Sequence, residues 1–181
     1  MRVITGTARG RKLKEPSNSD IRPTTDMVKE SVFNIIQFDI EGRKVLDLFA
    51  GTGQMGIEAL SRGAESAVFV DQSGEAIKIV KFNLEHCGFT AKVVQGDSIS
   101  FLAGCGKFDI IFIDPPYDTD LIDKALHNIF AFDILSDGGI IVCECRVGKI
   151  LPEAPAPYYL GREYRYGKVR LAVYTRDIGR Q

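Results

Sequence analysis

The sequence predicts one α/β unit, a mainly parallel sheet of seven strands with helices on both faces and an antiparallel hairpin closing it. Three observations carry this. Strand and helix signals alternate between residues 44 and 145, the pattern of successive β-α-β units. The runs at 108–113 and 139–143 are almost continuously apolar, as strands covered on both faces must be. The length, 181 residues, suits a single domain, and 45% hydrophobic with 26% charged residues is ordinary for a globular chain.

Taken in order, residues 2–6 and 11–13 read as short strands about Thr7-Ala8-Arg9-Gly10, a hairpin. Residues 15–24 carry Pro16, Ser17, Asn18, Ser19, Asp20 and Pro23, which mark a loop. A helix follows Thr24-Thr25, with Val28, Val32, Ile35 and Ile36 recurring on one face until Gly42 ends the segment. Strands are predicted at 44–48, 66–71, 91–96, 108–114 and 139–145, and helices at 54–62, 73–86 and 119–130. Pro152, Pro155 and Pro157 mark a loop, and 158–175 reads as a closing hairpin about Tyr166-Gly167. The organisation expected is a small N-terminal β-hairpin extension with its loop over 1–24 and the main domain over 25–181.

Several function classes are disfavoured. No apolar run approaches the ~18 residues that would span a bilayer, and Met1-Arg2-Val3-Ile4-Thr5-Gly6 lacks the apolar stretch of a secretory signal. A cytoplasmic protein without membrane contact is expected. Cys87, Cys105, Cys143 and Cys145 form no C-x-x-C pair, and with His86 and His127 as the two histidines no metal site is expected. Charge is unevenly spread. Residues 1–22 hold six Lys/Arg against two Asp/Glu, residues 146–181 eight against three, and the segment between nine against nineteen. Basic ends around an acidic centre can place a polyanion beside a site that itself prefers cations.

The acidic centre has a pattern. Asp47, Asp71, Asp97 and Asp114 each fall at or near the carboxyl end of a predicted parallel strand, the edge where open α/β sheets bind ligands. After the first of these strands, Gly51, Gly53 and Gly56 match G-x-G-x-x-G, and Asp71 stands twenty residues past Gly51, where a carboxylate holds ribose hydroxyls. That pair suits either a nicotinamide cofactor or S-adenosylmethionine. Electrostatics favour the second. Residues 45–61 contain no Lys or Arg to offset a pyrophosphate, whereas Asp47 suits the cationic amino-acid end of S-adenosylmethionine. Asp71 would take the ribose, and Asp97, with Ser98 beside it, the adenine amino group. Phe49 and Gln72, next to the first two aspartates, complete the expected cofactor set with Gly51 and Gly53.

Asp114-Pro115-Pro116-Tyr117 follows the fourth strand of the alternating series. Consecutive prolines fix φ and bias Asp114 toward extended backbone, giving a stiff loop. An exocyclic amine on a base is a poor nucleophile because its lone pair is delocalised into the ring. Hydrogen bonds from its N–H groups to the Asp114 carboxylate and the Pro115 carbonyl would favour a pyramidal nitrogen and aim it at a methyl group. Tyr117 can stack on the base, an interaction worth roughly 1–3 kcal/mol. A base inside a helix would first be flipped out. Carbon-5 pyrimidine methylation, which uses a cysteine nucleophile typically after proline, is disfavoured because no Pro-Cys occurs.

Beyond these residues the chain resembles the bacterial 16S rRNA guanine-N2 methyltransferase (RsmD) family over almost its full length. The resemblance rests on Arg9-Gly10-Arg11-Lys12-Leu13, Arg22-Pro23-Thr24-Thr25-Asp26, Asp47-Leu48-Phe49-Ala50-Gly51-Thr52-Gly53, Glu58-Ala59-Leu60-Ser61-Arg62-Gly63 and Asp114-Pro115-Pro116-Tyr117. It implies a class I S-adenosylmethionine-dependent methyltransferase (Rossmann-like) fold and methylation of a guanine in small-subunit ribosomal RNA, naked or within an assembly intermediate. It further implies that Asp114, Pro115 and Tyr117 form the reactive pocket and that the N-terminal hairpin grips RNA. Arg9, Arg11, Lys12 and Arg22 are the expected phosphate contacts, and Pro116 the expected neighbour of the base. An adenine-N6 methyltransferase, a nicotinamide-dependent dehydrogenase and a non-enzymatic RNA-binding module are the alternatives at this point.

Overall fold

A computed structural model describes residues 1–16 and 26–178. Seven strands form one sheet: β1 (Lys44–Asp47), β2 (Ser66–Asp71), β3 (Lys92–Gln95), β4 (Phe108–Ile113), β5 (Leu135–Arg146), β6 (Tyr158–Tyr166) and β7 (Val169–Arg176). Their order across the sheet is β3-β2-β1-β4-β5-β7-β6. The first five strands pair in parallel and β7 joins β5 antiparallel. Chain order reverses at the β1–β4 boundary, and a crevice opens at such a switch point beyond the carboxyl ends of the strands.

Helices α1 (Asp26–Ile35), α2 (Gln54–Ser61), α3 (Gly74–Cys87), α4 (Ser98–Phe101) and α5 (Leu121–Ala131) complete the fold. Alternate residues of β4 belong to different cores. Ile110 and Phe112 pack with Val32, Phe33 and Ile57 on one face, while Ile111 and Ile113 pack with Ile122, Leu126 and Tyr174 on the other. That two-sided burial explains the continuous apolar run. Helix α1 forms where predicted because Val28 and Val32 recur on its buried face, with Ile36 just beyond its end also fully buried.

Three elements differ from expectation. Strand β5 is longer than 139–145, because Leu135 also pairs with Phe108 across an irregularity in register. Helix α4 escapes periodicity because it has four residues; Asp97 caps it by accepting the Ser100 N–H at 2.7 Å. The N-terminal segment makes a single antiparallel bridge, Arg2 to Lys12, rather than two strands. The cause is a competing acceptor: the N–H groups of Ile4 and Thr5 donate to the Glu58 carboxylate of α2, at 2.8 and 3.0 Å.

The hairpin is thereby bound to the main domain. Val3, Ala8 and Leu13 are buried in the same core as α1 and α2. Fully burying a Val or Leu side chain stabilises by roughly 1.5–3 kcal/mol. Glu58, 0% exposed, also accepts from Arg62 Nε at 2.9 Å and lies 3.7 Å from Lys29 Nζ, which donates to the Arg2 carbonyl. Burial pushes the Lys29 amine down, and the neighbouring Glu58 charge opposes that shift. The hairpin turn docks at the far end of α2, where the Thr7 N–H donates to the Ser61 carbonyl and the Ala8 N–H to Ser61 Oγ.

Candidate active site

The four aspartates lie along one rim. Asp47 ends β1, Asp71 ends β2, Asp97 stands two residues past β3, and Asp114 directly follows β4. Register aligns Asp47 with Phe69 of β2 and Phe112 of β4, and Asp71 with Gln95 of β3. Since these strands are consecutive neighbours, the carboxylates share one edge of the sheet.

Each rim residue also has a local task. Helix α2 starts at Gly53, whose φ of 79° is left-handed and which has no side chain to cap the helix. Asp47 takes over, its Oδ2 accepting the Gly56 N–H at 3.0 Å from the preceding strand. Gly56 also lets α2 lie close against β2, because a Cβ there would meet the Phe69 ring at 2.3 Å. Asp47 is 3% exposed, and its carboxyl is pushed up to about 7 by burial, against the Gly56 hydrogen bond and with the Asp71 charge adding to the rise. Asp71 holds the glycine loop with Oδ2, which accepts from Gly51 N at 2.9 Å, and the next turn with Oδ1, which accepts from Ser73 N at 2.8 Å. Asp97 is exposed, and hydrogen bonds from Ser100 hold its carboxyl below the usual carboxylate range.

The glycine loop is stretched between neighbouring strand ends. The Leu48 N–H donates to Phe112 and the Ala50 N–H to Val70. Gly51, at φ 54°, faces open space, since a Cβ there would meet nothing within 4 Å. Phe49 and Gln72 sit beside it, half-buried and exposed respectively. Ser98 belongs to the scaffold: its buried hydroxyl donates to the Leu48 carbonyl at 2.6 Å, tying the start of α4 to the glycine loop.

The diproline loop stands next along the rim. Asp114 is half-buried, Pro115 buried and Pro116 exposed. The Tyr117 hydroxyl donates to Glu144 Oε1 at 2.6 Å, and the Arg146 guanidinium lies 5.3 Å from the centre of the Tyr117 ring. Arg146 also pairs with Asp118 at 3.1 Å, while Asp118 takes a left-handed φ of 63° that re-aims the chain just after Tyr117. Pro116, Tyr117, Asp118, Thr119, Ile122, Arg146 and Lys149 line a cleft of about 290 Å³. The position of Glu144 and Arg146 in this site escaped the sequence reading. The available signal was Glu144 itself, a lone carboxylate between two cysteines in the otherwise apolar run 139–145, 8% exposed in the fold.

The basic N-terminal residues are less concentrated than expected. Arg9, Arg11 and Lys12 are all exposed. Arg9 lies on the hairpin turn, at the end of α2 opposite the glycine loop, roughly 12 Å along the helix axis from it. Arg11 donates to the His86 carbonyl near the end of α3, so its guanidinium is partly engaged in docking the hairpin. Arg22 lies outside the described residues. Among the described residues no group of three His, Cys, Asp or Glu could hold a metal, and no helix is long and apolar enough to cross a membrane.

The acceptors on this rim fit S-adenosylmethionine. They offer carboxylates to cationic and hydroxyl groups, with an open backbone surface at Gly51 and no Lys or Arg over residues 45–61. Comparison with known proteins agrees with the fold and the family. A family model described as "Conserved hypothetical protein 95" matches residues 1–175. A Bacillus subtilis protein named "Putative rRNA methyltransferase YlbH" is 41% identical, covering 97% of this chain and 99% of its own length. "Ribosomal RNA small subunit methyltransferase D" of Escherichia coli K12 is 36% identical, with 98% and 90% covered. The solved structure titled "Putative methyltransferase yhhF from Escherichia coli" superposes with a TM-score of 0.89 at 36% identity, covering 98% of both chains. The fold is thus the class I methyltransferase fold, and the chain belongs to the RsmD family of bacterial small-subunit ribosomal RNA methyltransferases.

Proposed function

We propose that this enzyme transfers a methyl group to the exocyclic N2 of a guanine in 16S ribosomal RNA, naked or within an assembling small subunit in the cytoplasm. The observation that carries this reading is the diproline loop at the carboxyl end of β4, on the same rim as the glycine loop and opening onto a cleft.

S-adenosylmethionine, when bound, supplies an electrophilic methyl group. Asp71 would accept from the ribose hydroxyls, since each of its oxygens holds one backbone N–H and keeps acceptor capacity. Asp47, buried and holding Gly56, serves the amino-acid end from behind the glycine loop that it braces, and Asp97 takes the adenine amino group. Phe49, Gly51, Gly53 and Gln72 form the surrounding wall, with Ser98 bracing it from behind.

The remaining work belongs to the rigid loop. The Asp114 carboxylate and the Pro115 carbonyl accept hydrogen bonds from the two amine N–H groups, drawing the nitrogen lone pair out of conjugation with the ring. Tyr117 stacks on the base beside Pro116, and Glu144 fixes its hydroxyl, so the ring has one preferred setting. Holding the reacting atoms in line at about 3–3.5 Å then supplies much of the rate. Arg9, Arg11, Lys12 and Arg22 attract the phosphate backbone and set its position without reading sequence.

Labelled methyl transfer to unmodified 16S RNA and to partly assembled subunits, followed by nucleoside analysis, tests the proposal. N2-methylguanosine is expected. Label in N6-methyladenosine, or none in either RNA, overturns it.

A further inference from the structure

On the outer surface of α3, away from the methylation cleft, Phe82 is 49% exposed although it is a large apolar side chain. Its ring has two neighbours. The Lys14 ammonium lies 5.2 Å from its centre, and the His86 imidazole stacks on it at 6.1 Å with an interplanar angle of 8°. Lys78 and Lys81 are exposed at the adjoining helical positions, Arg11 reaches the same end of α3 through the His86 carbonyl, and Glu85 is the one acid on this stretch of the face.

The patch is connected to the cofactor loop. Asn83, next to Phe82 in the chain but fully buried, donates to the Thr52 carbonyl of the glycine loop at 2.9 Å. It also accepts the Lys14 N–H at 2.7 Å and donates to the Lys14 carbonyl at 3.1 Å. One side chain therefore fixes the glycine loop, the hairpin and the helix turn that presents Phe82.

Resting on the rRNA reading above, we infer that Phe82 and His86, flanked by Lys14, Arg11, Lys78 and Lys81, form a second RNA contact that stacks unpaired bases of the substrate outside the methylated nucleotide. Two parallel rings among cations are the chemistry that holds single-stranded nucleic acid, with the rings taking base faces and the cations taking phosphates. A duplex hides its base faces, so it would meet only the cations. Pre-setting the ring beside Lys14 and His86 lowers the entropy lost on binding.

The chain contains no Trp, so Phe82→Trp places a single reporter in the patch. A single-stranded oligoribonucleotide from 16S RNA is expected to quench its emission, and the same sequence as a duplex to leave it nearly unchanged. Phe82→Ala is expected to weaken binding of the single strand roughly 5- to 150-fold, with cofactor affinity and kcat at saturating RNA unchanged. Unquenched emission, equal quenching by the duplex, or wild-type affinity in Phe82→Ala overturns the inference, while methyl transfer by the wild-type enzyme would still stand. Failure of the wild-type enzyme to bind or methylate ribosomal RNA overturns both readings together.

Discussion

The Glu58 cluster and the diproline loop each hold a functional segment in place, by opposite means. Glu58 is sealed from water and surrounded by donors: two hairpin N–H groups, Arg62 and Lys29. Tyr117 is half-buried at the edge of a cleft, held by one carboxylate and one exposed guanidinium that is itself paired with an exposed aspartate. A closed arrangement of buried charges has one stable geometry, because any departure strands a charge in low dielectric. At the cleft the exposed Arg146–Asp118 pair can yield to an incoming base at little expense, since exposed pairs are worth about 0–1 kcal/mol, while the buried Glu144 keeps Tyr117 in its setting. The first suits a scaffold and the second a substrate pocket.

Asp114→Ala should give the largest effect. Methyl transfer should fall roughly 100-fold or more while cofactor affinity, measured by calorimetry, stays near wild type. Wild-type turnover would remove the loop from the chemistry and leave the two regions alike as scaffolds. Glu58→Ala should lower stability by about 3–5 kcal/mol, because Lys29 is left buried without its carboxylate. Denaturant unfolding reads this, and a loss below 1 kcal/mol would show that the sealed arrangement is no stronger than the open one.

Asp47 sharpens the contrast, being as buried as Glu58 but without a cation among its hydrogen-bond and charge neighbours. Its carboxyl, raised from 3.8 to about 7, keeps its proton in the folded state where the unfolded chain has released it. Its contribution to stability is full below pH 4, falls by about 1 kcal/mol per pH unit as pH rises toward 7, and then levels. Asp47→Asn should therefore gain on wild type between pH 4 and 7 and hold that gain above it. A difference in Tm that is flat with pH would mean Asp47 is ionised throughout. The smallest effects belong to Tyr117. Tyr117→Ala should raise KM for RNA by the roughly 1–3 kcal/mol of a lost stack. Tyr117→Phe keeps the ring but loses the Glu144 bond, and should change KM less than the alanine variant. Equal KM values for the two variants would show that Glu144, rather than stacking, is what Tyr117 serves.

The rim was legible because parallel strands have a direction. Once alternation places β1, β2, β3 and β4 side by side, residues at their carboxyl ends fall on one edge, so Asp47, Asp71, Asp97 and Asp114 could be grouped from spacing. Their local duties could not be read this way. That Asp47 caps α2, that Asp97 caps α4, or that Ser98 braces Leu48 depends on backbone N–H and carbonyl groups brought close only by folding. Glu144 and Arg146 were missed for the same reason, since β5 gains its place beside the diproline loop through pairing with β4.

By itself, the sequence determined the layered α/β architecture, the acidic rim, the stiff loop after β4 and the resemblance to RNA methyltransferases. The first three follow from periodicity, strand direction and the fixed φ of proline, all local properties of the chain, and the resemblance from motifs such as Arg9–Leu13 and Asp114–Tyr117. Tertiary structure decided which charges became scaffold and which remained open to ligand. A carboxylate's role depends on how many donors surround it and how much water is excluded, and those are set by residues distant in sequence, as Glu58 meeting Ile4, Thr5 and Lys29 shows.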